Sequence, residues 1–216
     1  MKASLMVAVM MLMAELCGIT IYVNVKDTVK RSLLACLGLG FMYAIVIADI
    51  LPDATENFKL GYLICILGIL CMYLISRKSS RIGTYSTIVG MGFHNICEGI
   101  ILSALTAISP ILIVGLVMHK LPEGMVSFSL LENIKSKLKY VLAVGISLLI
   151  PLGSIIFIPE NVSKPIIGLA AGAILFTVTS SFRTILSKKN SEYLYSKIAT
   201  MAFIGAIIGG VSCLIV

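Results

Sequence analysis

Apolar stretches of membrane-crossing length alternate with short polar connections along this chain, and the alternation repeats eight times. A helix rises 1.5 Å per residue, so about 20 mostly apolar residues cover a hydrocarbon slab of about 30 Å. The pattern therefore predicts eight transmembrane helices, at 4–23, 32–51, 60–75, 85–107, 110–131, 138–158, 165–182 and 198–216. The connections are too short for a separate soluble domain, so residues 1–216 are expected to form a single all-α transmembrane domain.

Composition points the same way. Hydrophobic residues make up 59% of the chain and charged ones 12%, with a mean hydropathy of +1.07, whereas an ordinary soluble domain is about 45–50% apolar. Lys2 ahead of an apolar run resembles the start of a secretory signal, but Glu15 and Leu16 stand where a cleavage site before Cys17 needs small uncharged residues. The first segment is therefore expected to be retained as a helix. All six cysteines, Cys17, Cys36, Cys65, Cys71, Cys97 and Cys213, fall in apolar segments, which predicts buried thiols rather than a disulfide framework.

The basic residues orient the chain. Thirteen of the seventeen lie in alternate connections: Lys26, Lys30 and Arg31; Arg77, Lys78 and Arg81; Lys135, Lys137 and Lys139; Arg183, Lys188, Lys189 and Lys197. By the positive-inside rule these loops are cytoplasmic, and both termini lie outside a multi-pass cell (plasma or inner) membrane. The other side holds Lys2, Lys59 and Lys164. A net charge of +7 then reflects basic loops beside anionic lipid, and no nucleic-acid partner is expected.

The chemistry concentrates in two near-copies, His94-Asn95-Ile96-Cys97-Glu98-Gly99 and His119-Lys120-Leu121-Pro122-Glu123-Gly124, which hold both histidines of the chain. In each, histidine precedes glutamate by four residues, so both side chains share one helix face. An acid or base at membrane depth costs roughly 2.5 to 3.5 kcal/mol on insertion scales, and such groups usually face a cavity and a partner. Two imidazoles and two carboxylates meeting near mid-membrane would suit Zn²⁺, Fe²⁺ or Mn²⁺, where an all-oxygen cage would suit Mg²⁺ or Ca²⁺. A metal pathway across a membrane is the expectation, and the short 106–110 connection favours helices four and five as neighbours. Pro122 deprives the Met118 carbonyl of its helical donor, and Gly99 and Gly124 allow close helix approach. On the outer side Asp53, Glu56 and, one turn deeper, Asp49 suggest an acidic vestibule that gathers divalent cations.

These blocks resemble the fourth-helix HNxPEG and fifth-helix HxxPEG signatures of the ZIP (Zrt/Irt-like) divalent-metal transporters, and the likeness extends to eight helices, outside termini and total length. The stretch from Gly40-Phe41-Met42-Tyr43-Ala44 to Leu51-Pro52-Asp53-Ala54 resembles that family's second helix. The resemblance implies a bundle of helices one to three and six to eight as inverted repeats around four and five, usually dimeric, working by alternating access. It implies His94, Glu98, His119 and Glu123 as ligands, with Met42 and Asn95 as further candidates, for Zn²⁺ or for Fe²⁺, Mn²⁺ or Cd²⁺. The direction it implies is into the cytoplasm.

Two departures bear on the number of ions. Many members hold two adjacent metals, the second supported by an acid or amide after the fifth-helix histidine and by a glutamate in helix six. Here Lys120 takes the first position, and Ile150, in Leu148-Leu149-Ile150-Pro151-Leu152-Gly153, takes the second. One metal is therefore expected, with the Lys120 ammonium standing in for the other. Cys97 replaces the usual proline of helix four, and Glu15, midway along helix one, either pairs with Lys120 or lines the pathway. The competing class is an intramembrane metal-dependent hydrolase, with a zinc on two histidines and a carboxylate and the other glutamate as base. A metal-free cation relay is a third. No phosphate-cradling glycine loop suggests ATP drive, and no catalytic residue or resident cofactor is expected.

Overall fold

The computed structural model describes residues 2–56, 60–77, 82–104, 110–132, 134, 137–156, 158–187 and 192–215, and among these the regular structure is all helix, without a strand. We number eight helical rods: α1 (Lys2–Asn24), α2 (Thr28–Ile45, continued by Val46–Ile50 and Leu51–Thr55), α3 (Gly61–Arg77) and α4 (Ile82–Ala104), then α5 (Pro110–Leu131), α6 (Leu138–Ser147 with Leu149–Gly153), α7 (Glu160–Ser187) and α8 (Glu192–Ile215). Each predicted segment falls on one rod. Four stretches, Ala3–Asn24, Thr28–Thr55, Lys164–Leu186 and Leu194–Leu214, are long and apolar enough to cross a membrane, and Gly61–Arg77, Ile88–Ser103 and Leu138–Gly153 are shorter apolar helices. Residues 106–109 of the predicted connection, Lys59, Lys78, Arg81, Lys135, Lys188 and Lys189 lie outside the described residues.

The rod α2 begins on a cap, with Asp27 Oδ1 accepting the Val29 and Lys30 amides at 2.7 and 3.1 Å. Further on it widens into a π-helical turn at Val46–Ile50, where the Leu51 amide reaches back five residues to the Val46 carbonyl. The cause is local: Pro52 has no N–H to give Ala48 and its ring crowds that carbonyl, so the backbone opens one turn ahead. The sequence reading did not foresee this turn, because one widened turn leaves the hydrophobic pattern unchanged.

Four crossings bring helices into backbone contact, each through a pair of glycines. Gly18 faces the Leu121 carbonyl and Gly124 the Glu15 carbonyl where α1 meets α5. Gly99 and Gly153 do the same for α4 and α6, Gly40 and Gly205 for α2 and α8, and Gly68 and Gly172 for α3 and α7. At each of these positions a β-carbon would collide with the neighbour's backbone, so the expected roles of Gly99 and Gly124 in close approach are observed.

Packing divides the rods into two sets. Helices α1, α4, α5 and α6 pack on one another, as do α2, α3, α7 and α8, and the sets meet where α2 lies on α5 and α7 on α4. The pairings repeat within the chain: α1 on α5 is matched by α6 on α4, α2 on α8 by α7 on α3, and α2 on α5 by α7 on α4. One apolar core runs through Tyr22, Leu39, Met91, Val126, Leu131, Ile146, Ile174 and Val178. At one end of the bundle Arg31 bonds Glu132 Oε1 at 2.9 Å, the Val23 carbonyl at 3.4 Å and the Val25 carbonyl, which ties the α1–α2 corner to the end of α5.

All six cysteines are free thiols. Cys36, Cys65 and Cys97 are buried as expected, but Cys17 and Cys71 are exposed and Cys213 partly so. The expectation of general burial fails because an apolar helix has an outward face as well, and a thiol is at home on either.

Candidate metal centre

Four-residue spacing puts His94 and Glu98 on one face of α4, and in α5 it brings Glu123 up opposite them. His94 Nε2 lies 3.3 Å from Glu123 Oε1 and 3.7 Å from Glu98 Oε2. One ligand atom from each of His94, Glu98 and Glu123 falls within 4.8 Å of the others. Neither Glu98 Oε2 nor Glu123 Oε1 accepts a well-formed hydrogen bond, and the cation already beside Glu98 Oε2 is the Lys120 ammonium. Two buried carboxylates facing one imidazole nitrogen make a setting that favours positive charge.

His119 stands beside this corner rather than in it. Its Nε2 contacts the other Glu98 oxygen, Oε1, at 2.6 Å, and its Nδ1 faces the Gly115 carbonyl at 3.1 Å, so both ring nitrogens are taken up. The predicted set of four is thus three converging residues plus a histidine that orients one of them.

On the interior side of the carboxylates lies Lys120, fully buried. Its ammonium donates to Glu123 Oε2 at 2.6 Å and to Asn95 Oδ1 at 2.9 Å, with His94 Nε2 at 3.5 Å. It also makes a close ion pair with Glu98 Oε2, from a direction that gives no well-formed hydrogen bond. The predicted proximity of Lys120 to both glutamates is therefore observed. Asn95 meets the ammonium with its oxygen, while its amide nitrogen donates to both Glu15 oxygens, at 3.2 and 3.1 Å, and to the Ile146 carbonyl at 3.1 Å.

On the other side a cavity of about 270 Å³ opens. His94, Glu98 and His119 form part of its wall, with Asp49 and Asp53 from α2 and Ser212 and Cys213 from α8. The π turn carries Asp49, and both aspartates are exposed at the wall. Two members of the predicted vestibule thus border the same space as the histidines. Glu56 is not on that wall, and its backbone carbonyl accepts Lys164 Nζ at 2.5 Å.

No family model matches this chain, and neither does any curated protein.

Other predicted residues sort out by position. Met42 is buried and borders a small cleft with His94, His119 and Glu123, behind the main cavity. Cys97 is buried and lines neither space. Ile150 packs in a separate apolar cluster with Val7, Ala8, Met11 and Leu102, far in character from a ligand. Sequence reasoning missed Ser212 and Cys213 as wall residues, and no spacing or motif marked them. Chemically, one imidazole and two carboxylates suit a borderline first-row dication.

Proposed function

We propose that this protein carries a divalent transition-metal ion, zinc foremost, across a membrane into the cytoplasm. One ion binds at His94, Glu98 and Glu123, His119 holds Glu98 in place, and Lys120 occupies the position where related sites take a second ion. The observation that carries this reading is the convergence of one ligand atom each from His94, Glu98 and Glu123 within 4.8 Å of one another, beside the cavity that His94 and Glu98 line. The adjoining cavity with Asp49 and Asp53 supports it, because acids along an approach raise the local concentration of a dication.

In this reading the chain is a ZIP-like transporter with eight crossings, both termini outside, acting as a homodimer in the cell membrane. The repeated pairing of α1, α2 and α3 with α6, α7 and α8 around α4 and α5 supports an internally repeated carrier, a class that binds its substrate near mid-membrane and works by alternating access. The test is uptake of radioactive zinc by proteoliposomes containing the purified protein, with iron, manganese and cadmium as competitors. Saturable uptake that disappears in Glu123→Ala is the expected result. Wild-type vesicles that take up none of these ions under an imposed gradient would overturn it.

A further inference from the structure

Glu15 has no part in the metal reading so far, yet it is among the costliest residues in the fold. It is 0% exposed at the centre of α1, as are Asn95 and Lys120, and Glu123 is 1% exposed. A chain of contacts joins them. The Asn95 nitrogen donates to Glu15, the Asn95 oxygen accepts from Lys120, and Lys120 holds Glu98 and Glu123. An amide that donates at one end and accepts at the other transmits polarity from carboxylate to ammonium in a consistent direction.

This chain of contacts has a use at the site. Three acids, Glu15, Glu98 and Glu123, surround the single ammonium of Lys120, and of these Glu98 and Glu123 touch it while Glu15 reaches it through Asn95. We propose that Glu15 is the standing counter-anion of Lys120: when a dication binds Glu98 and Glu123, the ammonium gives up Glu98 Oε2 and its charge is balanced through Asn95 by Glu15. The inference rests on the metal reading above and adds a positioning residue outside the ligand set. Without Glu15, a dication bound by Glu98 and Glu123 would leave the Lys120 ammonium with no anion of its own in a buried site, and uncompensated buried charge is strongly disfavoured.

The experiment is titration of the purified full-length protein with Zn²⁺ and, separately, Cd²⁺ by calorimetry, with Glu15→Gln introduced into wild type and into Lys120→Met. Glu15→Gln alone is expected to weaken binding about tenfold or more. In the Lys120→Met background Glu15 has no ammonium to balance, so the same change leaves affinity unchanged or tighter. A merely structural role for Glu15 would weaken binding in both backgrounds, and that result, or no loss in wild type, would overturn the proposal. Should Glu15→Gln alone not yield folded protein, the Lys120→Met background decides, since weakened binding there refutes the pairing. Wild type that binds neither ion would instead sink the metal reading and this inference with it.

Discussion

The two helix sets solve the problem of burial in opposite ways. In α1, α4, α5 and α6 the buried polar groups include Glu15, His94, Asn95, Lys120 and Glu123, and they bond across helices. In α2, α3, α7 and α8 the buried polar side chains among the described residues are hydroxyls, Ser76, Thr177 and Ser181, and each returns its proton to a carbonyl of its own helix. The first set depends on particular partners, because a buried charge without one is costly. The second depends on shape, because its hydroxyls are satisfied locally and what remains is close packing at crossings that, as in the first set, close on glycine. Function is expected to be sensitive in the first set and stability in the second.

The largest effect should come from removing a ligand. Glu123→Ala is expected to abolish saturable zinc uptake in proteoliposomes while the protein remains in the membrane, because no helix is shortened. Loss of the protein from the membrane fraction would blur the division between the sets. Next comes shape: Gly40→Leu forces a side chain into the Ala202 backbone and should destabilise the fold by about 3 kcal/mol or more. Thermal unfolding in detergent reads this directly, and an unshifted transition would show that the α2–α8 crossing yields easily.

His119→Ala sharpens the comparison inside the first set. Because His119 orients Glu98, its loss should weaken metal affinity about 10- to 100-fold without eliminating binding, as outer partners of metal ligands typically do. Complete loss in calorimetry would make His119 a ligand after all. Smaller still is Asp49→Asn, expected to lower uptake a few-fold at low zinc and low salt and to leave the maximal rate unchanged. The smallest effect belongs to the second set: Thr177→Val removes a hydroxyl that bonds only to Ala173, and should cost about 1 kcal/mol or less with uptake intact.

Much of this was legible in the sequence, and the reasons differ by residue. The rods follow from hydropathy, which is why every predicted segment falls on a helix. His94, Glu98 and Glu123 were readable because four-residue spacing fixes a shared face. Lys120 was readable as a neighbour of the glutamates, since three residues before Glu123 lies on nearly the same side of the helix. Asn95 was expected among ligand candidates and instead turns toward Glu15, a choice made by α1, which is 80 residues away in the chain. Cys213 and Ser212 escaped notice for the same reason, because only tertiary packing brings α8 to the cavity. Whether a thiol such as Cys17 faces in or out is likewise settled by neighbours and not by the segment it sits in.

The π turn at Val46–Ile50 amounts to one residue more than an α-helix needs to cover the same rise. Wound as ordinary α-helix without the turn, the same residues would place everything beyond it about 100° further round. Asp53 would then leave the cavity wall although no acidic residue had been changed. The turn is thus a phase setting in the backbone: four-residue spacing gives the two aspartates a common side, and the odd residue sets which way that side looks.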